Sequence, residues 1–149
     1  MNLLEKIEQI ASESGRNKKI ELISECVVDE NFRQVFTYAL SPFYNFGITP
    51  NFNYSPKFER LSIEQALEII KERIANHNHS NALIETVQST YNMLSYDDAE
   101  VFIRVISKDL KCGAGIGTYN AAIKQYNKTH DYALPQIPTY PCLLASAYD

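Results

Sequence analysis

The chain has 149 residues, 45% of them hydrophobic and 21% charged, with a formal net charge of −4. That is enough for one domain with a real core and too little for a core plus a second large catalytic domain, and no apolar run is long enough to cross a membrane. An acid among the first six residues argues against a signal peptide, and the odd, widely spaced Cys26, Cys112 and Cys142 suit free thiols in a reducing compartment, so a cytoplasmic protein is expected.

In chain order, residues 3–13 put Leu3, Leu4, Ile7, Ile10 and Ala11 on one helical face, and Ser14-Gly15 ends that helix. A second helix over 17–26 buries Ile20, Leu22 and Ile23, with Val27 just beyond. Its first turn presents Lys18 and Lys19, candidate phosphate contacts. Asp29 is the expected N-cap of a third helix over 30–40, with Phe32, Val35, Phe36 and Ala39 inward. Ser41-Pro42 opens a short helix that Gly47 and Pro50 close, and its three aromatics read as core packing. Residues 51–60 form a loop. Ser62 and Gln65 make a capping box for a helix reaching about residue 75. His77 and His79 lie in the polar turn that follows, with no cysteine or acid at ligand spacing, so no metal site is expected. Ser80 caps a helix that turns Leu83, Ile84, Val87, Tyr91 and Leu94 inward.

The unit over residues 97–120 carries the functional reading. Ser95 and Asp98 have the form of a capping box, and Asp97, Asp98 and Glu100 sit where a helix N-terminus is electropositive. Val101, Phe102, Val105, Ile106 and Leu110 make a buried stripe, while Arg104, Lys108 and Lys111 recur at four and three residues and share a face. The helix is expected to stop at Gly113-Ala114-Gly115-Ile116-Gly117, and another to begin at Thr118. Glycines at alternate positions leave peptide N–H groups uncovered at a helix N-terminus with lysines nearby, an arrangement suited to anions and above all to a phosphodiester backbone. From Phe102 to His130 the basic residues Arg104, Lys108, Lys111, Lys124 and Lys128 face the single acid Asp109, which offsets locally the acidic total. The last helix, to about residue 126, gives Ala121, Ala122 and Ile123 to the core. Pro135, Pro138 and Pro141 then make an extended connector. The fold class expected is all-α: a single bundle of about seven or eight short helices over residues 1–128, with a connector over 129–149.

Asp109-Leu110-Lys111-Cys112-Gly113-Ala114, preceded by Arg104-Val105 and followed by Pro141-Cys142-Leu143-Leu144-Ala145-Ser146-Ala147-Tyr148-Asp149, resembles the N-terminal DNA-binding domain of bacteriophage-type ATP-dependent DNA ligases. Ile10-Ala11-Ser12 and Asn81-Ala82-Leu83-Ile84-Glu85 fit the same pattern. The resemblance implies a module that grips nicked double-stranded DNA through phosphate and minor-groove contacts for catalytic ligase domains in cis, in DNA repair and replication. It implies ATP and Mg2+ for the full ligase and no cofactor for these residues. It adds Ser41, Tyr44 and Asn45 as further DNA contacts. With the reading of the glycine turn, the candidate DNA-binding residues are Lys108, Lys111, Gly113, Ala114, Gly115, Ile116, Gly117, Thr118, Asn120, Lys18, Lys19, Ser41, Tyr44 and Asn45. No lysine is followed by x-Asp-Gly, the nucleophile motif of those ligases, so no catalytic residue is expected here. Two other readings fit the composition: a free-standing helical DNA-binding protein, and a helical protein–protein adaptor, which suits the acidic charge.

Overall fold

The computed structural model describes residues 2–46, 52–58, 60–74 and 80–138. Gly47, Pro50, His77, His79 and the segment 141–149 lie outside the described residues. Seven α-helices follow one another without a strand among the described residues: α1 Leu3–Ala11, α2 Arg16–Cys26, α3 Glu30–Leu40, α4 Ile63–Ile69, α5 Asn81–Met93, α6 Tyr96–Ile106 and α7 Ile116–His130. A π-helical turn, Ile70–Ile74, continues α4.

Five helices begin on a side-chain cap. Asn2, Asp29, Ser62, Ser80 and Ser95 each accept a backbone N–H of the first turn, and Asn2 with Glu5 and Ser62 with Gln65 complete reciprocal capping boxes. Ser95 accepts the Asp98 N–H without the reciprocal bond.

Helix α6 is the hub, packing on α1, α3, α4 and α5 and burying Ala99, Val101, Phe102, Val105 and Ile106. A column of rings ties α3 to α7: Phe32 on Phe36 at 4.6 Å and Phe36 on Tyr119 at 5.4 Å. Burial pushes the Tyr119 phenol up to about 12. The 52–61 loop lies against the C-terminal end of α5. Lys57 and Leu61 donate to the carbonyls of Asn92 and Met93, Tyr54 to that of Leu94, and the buried Asn92 side chain accepts the Ser55 N–H. The last carbonyls of α5 thereby find the partners that helix geometry denies them.

Several expected boundaries move, among them the end of α7, which runs to His130 rather than to about residue 126. Residues 41–46 form a turn rather than a helix: the Ser41 hydroxyl accepts the Phe43 N–H, and the carbonyls of Tyr38, Ser41 and Tyr44 turn toward Lys108. Helix α6 stops at Ile106, well before the glycines. The Lys108 N–H bonds the Val105 carbonyl and the Asp109 N–H the Arg104 carbonyl, with Lys108 at φ 56°. This is a Schellman C-cap with lysine in the position glycine usually takes.

Candidate nucleic-acid interface

The irregular segment 107–115 carries the turn from α6 to α7. Within it, Gly113 is the glycine whose backbone demands the residue type: it has φ 71°, and a Cβ there would lie 2.9 Å from Lys19 Nζ. Gly115 is extended at φ −101° and ψ −167°, serving as N-cap of α7 with no side-chain bond. Gly117 already belongs to the first turn of α7, which begins at Ile116, two residues before the expected Thr118. Gly113, Gly115 and Gly117 are exposed, Ile116 and Thr118 half-buried, and Ala114 is buried against the core. The first N–H that α7 uses within itself is that of Tyr119, bonded to Gly115 O. The amides of residues 116–118 precede it in the order that leaves helix donors without intrahelical acceptors.

Helix α2 has the same kind of start. Its N-cap is Gly15, again extended and without a side-chain bond, and neither α2 nor α7 has an acid in its first turn. These two helices pack together. Arg16 Nη2 reaches Gly117 O at 3.5 Å, and Gln125 Nε2 reaches Ser24 Oγ at 3.4 Å. The two contacts are equally spaced along both helices, so α2 and α7 run parallel with their N-termini side by side. A methyl group placed on Gly15, Gly115 or Gly117 would meet nothing within 4 Å. At these three positions neither packing nor a left-handed backbone demands glycine; Gly15 and Gly115 stand as N-caps, which glycine fills acceptably, and Gly117, inside α7, costs up to about 1 kcal/mol. Their bareness leaves the peptide surface at both helix starts uncovered by side chains.

The lysines divide into those that prop the corner and those that project from it. Lys108 Nζ donates to Tyr38 O at 3.0 Å, Ser41 O at 2.7 Å and Tyr44 O at 2.8 Å, and lies 5.4 Å from the Phe46 ring centroid. All three ammonium hydrogens are thereby used. Burial pushes the Lys108 pKa below its ordinary value, while the three carbonyls can be matched in full only by the ammonium form. Lys19 Nζ donates to the carbonyls of Ile10 and Cys112 from beneath Gly113. Arg104 does not share a phosphate-facing stripe with Lys108 and Lys111. It donates to Glu100 at 2.9 Å, Glu8 at 2.7 Å and Leu110 O at 3.2 Å, tying α1, α6 and the turn together. Ser41 and Tyr44 supply carbonyls to the Lys108 cage. The Tyr44 ring packs edge-on to Tyr38, and Asn45 is exposed nearby. Asn120 turns away to the chain after α7, where it bonds the backbone of Ile137.

The exposed cations left at the corner are Lys111, Lys18 and Arg16. Lys111 also has a left-handed backbone, φ 58°, and its N–H bonds the Asp109 carboxylate. Lys18 has Glu21 as an exposed partner at 3.8 Å. The sequence shows Arg16-Asn17-Lys18-Lys19 as a basic cluster between helices, but of these only Lys18 and Lys19 are expected as contacts, and Gly15 reads as the end of α1. The signal for Gly15 as a cap is its place directly before that cluster, a first turn of four non-acidic residues. Cys112 is 2% exposed and burial pushes its thiol pKa up, so it packs as a small apolar residue. Among the described residues no cluster of histidine, cysteine or acid could hold a metal ion, and no helix is long and apolar enough to cross a membrane.

No protein-family model matches the chain. No curated protein matches it either. Among solved structures it is similar to one named Pmar-Lig_PreS3, with a TM-score of 0.68 and 22% identity over 91% of this chain. It is similar also to one named Pmar-Lig_Pre., with a TM-score of 0.70 and 24% identity over 91% of this chain. The chain covers 32% and 31% of those two chains, about a third of their length. Over that third it has their all-helical fold.

Proposed function

We propose that these residues form the N-terminal DNA-binding domain of an ATP-dependent DNA ligase, holding nicked duplex by its sugar-phosphate backbone without reading bases. One observation carries the proposal: two parallel helices present glycine-capped, acid-free N-termini side by side, where Gly15, Gly115 and Gly117 leave the peptide uncovered by any side chain. Amides at helix N-termini and the positive end of the dipole favour phosphate oxygens. Glycine lets a bulky polyanion approach the peptide closely, while Arg16, Lys18 and Lys111 add charge at the rim. Contacts of this kind position a duplex and carry no sequence information, which suits an enzyme that must seal any nick. The names of the two similar solved chains carry an abbreviation for ligase, and the DNA-ligase resemblance of the sequence points the same way. Catalysis, with its ATP and Mg2+, belongs in this proposal to further domains in cis, since these residues hold no Lys-x-Asp-Gly.

In this arrangement Lys108, Lys19, Ser41 and Tyr44 act indirectly by holding the corner, whereas Gly115, Gly117, Lys111, Lys18 and Arg16 face the strand. Exchange of Arg16 and Lys111 together for glutamate is the direct test, by fluorescence anisotropy on nicked duplex at two salt concentrations. Wild-type affinity should fall steeply with salt, with a log–log slope of about −0.9 per phosphate contacted. The double variant should lose at least tenfold at low salt with no fall in its melting temperature. Equal affinity of the two proteins would refute the proposal, and an adaptor protein would show no salt-dependent DNA binding in either form.

A further inference from the structure

After α7 the chain reverses at Asp131, which has φ 53°, and residues 132–138 run back along the helix as an extended strap. Two asparagines hold it. The Asn127 side chain donates to Leu134 O at 3.0 Å and accepts the Leu134 N–H at 2.9 Å. The Asn120 side chain does the same for Ile137, donating at 2.9 Å and accepting at 2.8 Å. Each carboxamide thus satisfies both backbone groups of one strap residue, a bond pair of the kind that neighbouring strands exchange in a sheet.

The spacings agree. Asn120 and Asn127 are seven residues apart, about 10.5 Å along a helix, and Leu134 to Ile137 spans about 9–10 Å of polyproline-type chain. A three-residue repeat also puts Leu134 and Ile137 on one face, where a two-residue β repeat would oppose them. Pro135 and Pro138 suit that conformation, and Ile137 is 3% exposed, so its side chain is seated in the core.

We propose that Asn120 and Asn127 are a backbone-reading clamp whose task is to fix where the chain leaves the domain. Pairing runs antiparallel: the later helix residue holds the earlier strap residue. The strap therefore climbs toward the start of α7, and Ile137 sits beside Asn120, only about 6 Å of helix rise from Ile116. Without the clamp the chain would depart from the opposite end of α7, at His130. With it, Pro138 lies at the end that carries Gly115, Gly117 and Arg16, so whatever follows Pro138 starts from the proposed phosphate-facing side. The clamp sets this direction whatever ligand the corner takes, and its failure would leave the DNA reading untouched.

NMR on the 149-residue protein tests it without any variant. Nuclear Overhauser contacts should link the Asn120 side-chain amide to Ile137 and that of Asn127 to Leu134, and both strap amides should exchange at least tenfold more slowly than an unprotected chain. Asn120→Ala should free the Ile137 amide and leave Leu134 protected, and Asn127→Ala should free both, because the inner bond closes the loop. The Ile123 amide, inside α7, should stay protected in both variants. Strap amides exchanging at the free-chain rate in the wild type, or protection unchanged in the alanine variants, would overturn the clamp.

Discussion

Lys108 sits in left-handed backbone, where a side chain other than glycine costs roughly 1–2 kcal/mol. It persists because its ammonium gathers three carbonyls from the end of α3 and the turn beyond it. Removing the cation while keeping the side-chain bulk, in Lys108→Met, should lower unfolding free energy by about 2 kcal/mol, through lost charge-assisted bonds. Lys108→Gly should be milder by roughly 1 kcal/mol, because it relieves the backbone while losing the same bonds. Urea unfolding checks both statements: a Met variant as stable as the wild type would show that the carbonyl cage is not what holds this conformation, and Met milder than Gly that the left-handed backbone carries no strain to relieve. The sequence displayed Lys108 only as a charge at helical spacing from Arg104 and Lys111. Its acceptors lie 64 to 70 residues away, a distance over which spacing rules say nothing. For the same reason Asn120 read as part of a binding turn, when its partner is a strap that local patterns do not reveal.

At the scale of elements, the caps Asp29, Ser62, Ser80 and Ser95 were legible because each acts on an N–H two or three residues away, and periodicity fixed the buried faces for the same local reason. What local pattern left open was the meaning of glycine. It took Gly113 to stop α6 and Gly15 to close α1, whereas lysine caps α6 and Gly15 opens α2. The bare starts of α2 and α7 yield an opposed pair of effects. Gly117→Ala, within the first turn of α7, should stabilise the protein by a few tenths to about 1 kcal/mol, since it removes a poor helix former. Gly115→Asp should also raise the melting temperature by supplying a cap and a charge that suits the dipole. Both should weaken binding of nicked duplex, the aspartate at least tenfold. Calorimetry and anisotropy on the same samples decide it: higher stability with undiminished binding would mean that the corner does not meet phosphate.

Across the whole molecule, the hub position of α6 sets the cooperativity. Phe102 is 1% exposed at the centre of this packing, and Phe102→Ala should cost about 3–5 kcal/mol, lowering the melting temperature by roughly 10–15 °C. One transition seen alike by circular dichroism and tyrosine fluorescence is expected, since no helix pair has a core of its own. Two separate transitions would mean that α2 and α7 unfold independently of the hub. The charge of the molecule is also settled at this scale. Summing basic residues along the sequence counted Arg104 and Lys108 toward a ligand, but Arg104 is neutralised by Glu8 and Glu100 and Lys108 is enclosed by carbonyls, so the outward-facing charge is smaller than the tally. A last consequence follows from the parallel run of α2 and α7. Two helices aligned this way set like poles together, and each pole amounts to about half an elementary charge. Folding therefore stores a small mutual repulsion that water and salt only partly quiet. An anion settling across both tips would release that tension, so part of its attraction is prepared before it arrives.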